Sequence, residues 1–242
     1  MLTRGIFITG TDTGVGKTYV TCQLSTVFQG MGHSVGLYKP VCSGGISERD
    51  PAPGGRENWI WEDIEKLAAT LPLSTDREMI CPQRFIAPLA PPVAASLEGT
   101  SVNSMQLRTG INAWLGQVEF LLVEGVGGWR SPIATGETVA ELARDLNFPV
   151  LLVAANRLGM INHTLLTLES IRNLSLSPLG IVVNSAQERD DESGMSNVSV
   201  LRKMTDLPVW GPLPWNHSAK EFPTIRQIAE KISQSIRFGA SF

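Results

Sequence analysis

Of its 242 residues the sequence gives only three to cysteine, three to histidine and two to tyrosine. Cys22, Cys42 and Cys81 are odd in number and lack metal-ligand spacing, which argues against a disulfide framework and for reduced thiols in the cytoplasm. His33, His163 and His217 are scattered, and no Ser/His/Asp or Cys/His arrangement for nucleophilic catalysis is apparent. A basic excess is also missing. Acids outnumber bases 23 to 20, a formal charge of −3, so nucleic acid is not expected as the main partner. No apolar run approaches the roughly 20 residues needed to span a bilayer, and no basic, apolar and cleavable leader precedes the first strand. These absences predict a cytoplasmic protein with neither a membrane nor a nucleic-acid partner.

What is present is core material. Hydrophobic residues make up 43% of the chain and charged residues 18%, which suits one α/β domain over residues 1–242. Apolar, β-branched runs recur at Ile6–Thr9, Val35–Val41, Phe120–Val123, Val150–Ala154, Leu179–Val183 and Val209–Leu213. Their unbroken hydrophobicity predicts strands of a parallel sheet buried on both faces. Helical spacing appears between them: Val20, Leu24, Val27 and Phe28; Ile161, Leu165 and Leu168; Ile225, Ile228, Ala229, Ile232 and Ile236. Alternating strands and helices give a doubly wound α/β fold with a mainly parallel sheet, whose ligands lie beyond the strands' carboxyl ends. Residues 43–58 and 82–92 read as surface loops, the first polar and the second proline-rich.

The first strand runs into Gly10-Thr11-Asp12-Thr13-Gly14-Val15-Gly16-Lys17-Thr18. A strand, a glycine turn and a helix aim several backbone N–H groups at one point, the positive end of the helix dipole, which suits polyphosphate. Lys17 adds a cation and the Thr18 hydroxyl a ligand for Mg²⁺. Five residues separate Gly10 from Gly16 where the common template has four, so this is a variant phosphate loop. Lys39, in Tyr38-Lys39-Pro40, follows an extended segment at the same sheet edge; a charge-stabilising group and a solvated surface lysine fit it about equally. Ser43 reads as a ligand donor or a turn serine. Glu124 closes a run of four apolar residues, where a carboxylate reaches Mg²⁺, and Gly125, Gly127 and Gly128 allow close backbone approach to phosphate. A third acid is available in Glu62-Asp63-Ile64-Glu65, although acids opening a helix also serve its dipole. Asn184 closes another strand and offers a donor and an acceptor to an adenine edge, or else a turn.

Taken together, Gly10 to Thr18, Tyr38-Lys39-Pro40-Val41 with Ser43, Val123 to Trp129, Leu158-Gly159-Met160-Ile161-Asn162-His163 and Pro214-Trp215 resemble dethiobiotin synthetase, in that family's order and across most of the chain. The resemblance implies a P-loop NTPase-type fold, a homodimer with shared active sites, and ATP and Mg²⁺ as cofactors. It also implies closure of a cyclic urea from 7,8-diaminopelargonate and CO₂ through a carbamate and a carbamic-phosphoric anhydride. Carried over by motif, Lys17 and Lys39 are catalytic, and Thr13 and Ser43 contact the diamine or carbamate. Thr18, Asp63 and Glu124 hold the metal. Gly14, Val15, Gly16, Lys17, Thr18, Asp63, Glu124, Gly125, Val126, Gly127, Asn184, Pro214 and Trp215 surround the nucleotide. Leu158, Gly159, Ile161 and Asn162 resemble the segment that holds the substrate's carboxylate tail from the partner subunit, at a helix start suited to an anion.

The chain departs from that family's pattern in three places. The stretch between Ser43 and Asp63 is longer, which leaves Asp50 and Glu57 as alternative metal ligands. Ala87 to Pro92 replaces a more polar segment, and Gly14 stands where some members carry an acid. The rival reading is a partition or septum-positioning ATPase. Those relatives carry a lysine at the position of Asp12, and their membrane forms end in a basic amphipathic tail. The amidotransferases of cobalamin synthesis need a glutaminase domain that 242 residues do not accommodate.

Overall fold

Apolar runs with no polar face must be covered on both sides, and the computed structural model, which describes residues 2–49, 57–185, 193–215 and 223–236, shows that cover. Six strands, β1 (Arg4–Gly10), β2 (Val35–Tyr38), β3 (Phe120–Glu124), β4 (Val150–Ala155), β5 (Pro178–Asn184) and β6 (Val209–Leu213), form one sheet. Their order is β6-β5-β4-β1-β3-β2, and every neighbouring pair is parallel. Along β4 the side chains alternate between two apolar layers. Leu151, Val153 and Ala155 join the larger core, and Leu152 and Ala154 join a second one. The larger core takes Val20, Leu24 and Phe28 of α1 (Lys17–Gly30), with Phe28 stacked 4.2 Å from Phe120 between ring centroids. It also takes Ile64 and Leu67 of α2 (Glu62–Ala68), Leu142 of α3 (Val139–Leu146) and Ile225, Ile228 and Ile232 of the C-terminal helix Pro223–Ser235. The second core lies beneath α4 (Met160–Asn173) and α5 (Gly194–Met204).

Three expectations need correction. The run Val35–Val41 leaves the sheet after Tyr38, because the Lys39 N–H donates to the Ile80 carbonyl at 2.7 Å and Pro40 has no N–H to offer. The stretch 43–58 holds strand structure: Cys42–Ser43 pairs with Arg84–Phe85, and Ile46–Arg49 pairs antiparallel with Glu57–Ile60. Likewise 82–92 runs into a helix, Pro91–Leu97, whose prolines occupy first-turn positions where an N–H is dispensable. No described helix is long and apolar enough to cross a membrane.

Candidate active site

Parallel register brings separate strand ends together. Ile8 of β1 lies beside Glu124, and Tyr38 of β2 lies beside Val123, so Lys39 comes level with Glu124. On the other side of β1, Gly10 pairs with Val153 of β4, whose Ala155 pairs with Asn184 of β5. The phosphate loop therefore opens between an acid–base pair and a carboxamide. Gly16 caps α1 in the left-handed region at φ 94°, and no side chain caps the helix or places an acid in its first turn. The helix amides thus remain available to an anion.

Polar contacts fix the site's centre. The Lys39 ammonium donates to Glu124 Oε1 at 2.6 Å and to Asp63 Oδ2 at 2.7 Å, and Thr18 Oγ1 donates to Glu124 Oε1 at 2.7 Å. Lys39 is 3% exposed, which excludes a solvated surface lysine. Burial works against its charge, but Glu124 and then Asp63 outweigh burial and hold it protonated beyond the ordinary lysine range. Burial likewise opposes ionisation of Asp63, and the Lys39 ammonium overcomes it, holding that carboxyl below its usual range. Glu124 Oε2 is buried and has no partner among the described residues. The hydroxyl of Thr18 and the carboxylates of Glu124 and Asp63 offer the oxygen donors that a hard divalent cation takes.

Around this centre lies a cavity of about 720 Å³. Of the residues expected from the sequence, Thr13, Gly14, Gly16, Lys17, Thr18, Lys39, Ser43, Asp63, Glu124, Val126, Gly127, Asn184 and Trp215 line it. Val15 and Gly125 support it from behind, whereas Pro214 is not among the lining residues: Val15 is 1% exposed, its carbonyl accepts from Asn184 Nδ2 at 3.1 Å, and the Gly125 N–H donates to the Ile8 carbonyl. Ser43 Oγ donates to the Leu89 carbonyl at 2.6 Å, so that hydroxyl is oriented with a lone pair left for a ligand. Leu158, Gly159, Ile161 and Asn162 are not brought to this cavity; Leu158, Gly159 and Asn162 are exposed, and Ile161 rests against the second core. Asp50 lies outside the described residues.

Sequence reasoning missed Tyr19, Cys22, Cys42, Lys66 and Ser185, which also line the cavity. The thiols are not nucleophiles at neutral pH, since burial pushes Cys22 up to about 12 and Cys42 up to about 11. The site therefore holds charge stabilisers and hydrogen-bonding groups, and no activated nucleophile is seen among the described lining residues.

Two curated relatives decide the family. The chain is 36% identical over 230 residues to an ATP-dependent dethiobiotin synthetase of Nitrosospira multiformis, covering 93% of this chain and 96% of the relative. It is 42% identical over 202 residues to the enzyme of that name from an Anaeromyxobacter species, covering 84% and 86%. The chain belongs to the dethiobiotin synthetase family. It is thereby an ATP-dependent ligase. An AAA domain family model matches residues 4–222 of the chain. Its P-loop fold is shared with the septum site-determining protein MinD of Pyrococcus horikoshii, solved with Mg-ADP, at TM-score 0.50 and 18% identity over 97% of this chain and 96% of that one. That likeness concerns fold alone.

Two expected results follow from this geometry. A Cβ on Gly16 would stand 2.1 Å from Asn184 Nδ2 at a φ of +94°. The strain, roughly 1–2 kcal/mol for a left-handed L-residue, predicts about tenfold weaker nucleotide binding by Gly16→Ala, read by calorimetry, with Asn184 displaced. Burial brings Lys17 down to about 8, with Glu124 partly opposing and Lys39 adding to the fall. A bound polyphosphate raises that pKa again, so binding above pH 8 takes up a proton, and affinity falls with rising pH by up to roughly tenfold per unit. Below that pH the slope vanishes. Calorimetry at pH 9 in two buffers of different ionisation enthalpy checks it, and equal heats in both would contradict it.

Proposed function

We propose that this chain forms dethiobiotin from 7,8-diaminopelargonate, CO₂ and ATP, as a cytoplasmic homodimer. The observation that carries the reading is the buried Lys39, held between Glu124 and Asp63 beside the phosphate loop in a member of this family. An amine nitrogen attacks CO₂ and loses a proton to give a carbamate. A carbamate oxygen takes the γ-phosphoryl group of ATP, releasing ADP and leaving a carbamic-phosphoric anhydride. The second amine attacks the carbonyl carbon, phosphate departs, and the urea ring closes. The carbamate, the transferring phosphoryl group and the anhydride are anionic, so positioned cations supply most of the acceleration and no protein nucleophile is required.

Lys17 and Lys39 stabilise the carbamate and anhydride, with Thr13 and Ser43 as hydrogen-bonding partners of the diamine. Thr18, Glu124 and Asp63 would hold Mg²⁺, which supplies charge neutralisation at the phosphates. Glu124 Oε2, buried and unpartnered among the described residues, supports that assignment. Asn184 is assigned to adenine: its Nδ2 is used by Val15, while its buried Oδ1 has no partner among the described residues and suits the exocyclic amine. Trp215 and Pro214 flank the nucleotide. The Leu158–Asn162 segment, largely exposed and outside the cavity, is assigned to the carboxylate tail of a diamine bound by a second copy. Remote binding of the tail orients the amines.

Incubation with ATP, bicarbonate, Mg²⁺ and the diamine tests the reading. ADP and phosphate are expected only when all four are present, with a product of dethiobiotin's mass. Vigorous ATP turnover stimulated by DNA or vesicles and indifferent to the diamine would overturn it in favour of a partition or septum-positioning ATPase.

A further inference from the structure

Asp12 places an acid inside a loop built for polyphosphate. A bare carboxylate there repels the ligand, yet this one is fixed from several sides. Its Oδ1 accepts the Thr13 N–H at 2.7 Å, its backbone carbonyl accepts Lys17 Nζ at 3.0 Å, and its Oδ2 accepts from the Arg157 guanidinium at 3.0 Å. Arg157 arrives from the loop that joins β4 to α4. The same loop is held at its base: the Asn156 N–H donates to the Asn184 carbonyl at 2.8 Å. Asn197, buried on α5, donates to Asn156 Oδ1 at 3.1 Å and to the Arg157 carbonyl at 3.4 Å. Two residues beyond Arg157 the chain turns at Gly159, φ 88°, into the segment assigned to the substrate's tail.

We infer that Arg157 is a positioning residue, which through Asp12 makes nucleotide and diamine binding mutually favourable. The inference rests on the function proposed above. Arg157 and Asp12 are each about half-exposed, and such pairs contribute little by themselves, so the contact is weak enough for a ligand to bias. Polyphosphate shifts that balance, because it tolerates a neutralised Asp12 and repels a bare one. The closed state is the one in which Arg157 fixes the start of the Leu158–Asn162 segment. Each ligand therefore favours the arrangement the other needs, and the effect is reciprocal. With the segment serving a second copy, the linkage runs between subunits.

Calorimetry with a non-hydrolysable ATP analogue and Mg²⁺, with and without saturating 7,8-diaminopelargonate, tests this in wild type, Arg157→Gln, Asp12→Asn and the double variant. In wild type the diamine is expected to tighten nucleotide binding about fivefold. Arg157→Gln should bind nucleotide alone about fivefold more weakly and lose the diamine effect. Adding Asp12→Asn should restore nucleotide affinity, since the bare charge is gone, but not the diamine effect. A purely structural Arg157 would leave the double variant as weak as the single one, and that result overturns the inference. So does a full diamine effect in Arg157→Gln, whose failure would leave the function standing if wild type still turns over the diamine. A wild type that neither binds nor turns over the diamine sinks the function itself, and the coupling with it.

Discussion

Lys39→Ala is expected to lower kcat for ring closure by a factor on the order of 10²–10³, the usual loss for one preorganised electrostatic stabiliser. The ammonium is buried, held protonated by two carboxylates, and level with the mouth of the phosphate loop. Its loss leaves Glu124 and Asp63 facing each other without the cation between them, which on the proposed route removes positive charge where carbamate and anhydride would form. Nucleotide affinity should change far less, because in the proposed complex the phosphates would meet the loop amides and Lys17. Lys39→Arg keeps the charge but places a planar fork where a point charge fits, and should recover only part of the rate. Steady-state kinetics at saturating diamine, paired with nucleotide titration, separates the two effects. A kcat within about threefold of wild type would remove Lys39 from the chemistry.

Glu124→Gln is expected to raise the Mg²⁺ concentration for half-maximal activity on the order of 10²-fold, since a neutral amide is a poor ligand for a hard cation. The amide oxygen still accepts from Lys39 and Thr18 in the Oε1 position, so the fold should hold. Asp63→Asn should act in the same direction but less strongly, because its side chain is 41% exposed and water can take its place. A Mg²⁺ titration unchanged by Asp63→Asn would move that role to Asp50, Glu57 or water.

The strands were legible because their apolar runs have no polar face, and only a doubly covered sheet accommodates that. Glu124 and Lys39 were legible for a related reason: both follow such runs, and parallel register carries run ends to one edge. Helix α4 was legible in place but not in its deepest contacts. Ile161, Leu165 and Leu168 were expected inward, and they are: Leu168 is buried and the other two rest partly buried against the second core, but Met160, Thr164, Thr167 and Ile171 are the further buried positions. Threonine counts as polar in a pattern, yet Thr167 satisfies its hydroxyl on the His163 carbonyl at 2.7 Å and so buries its methyl. The hairpin of Ile46–Arg49 and Glu57–Ile60 escaped because neither arm shows clean apolar alternation. The Asp12–Arg157 contact joins exposed polar side chains 145 positions apart, and no local pattern announces such a meeting.

The fate of oxygen tests the central claim most directly. CO₂ labelled on both oxygens with ¹⁸O, supplied in a single rapid turnover, enters a carbamate whose one oxygen takes the phosphoryl group. Ring closure expels that oxygen with phosphate and leaves the other in the urea carbonyl. Mass spectrometry should therefore find one ¹⁸O in the released phosphate and one in the ring of each product formed. Unlabelled phosphate, with ADP still formed in step with the product, would contradict phosphorylation of the carbamate and the account built on it.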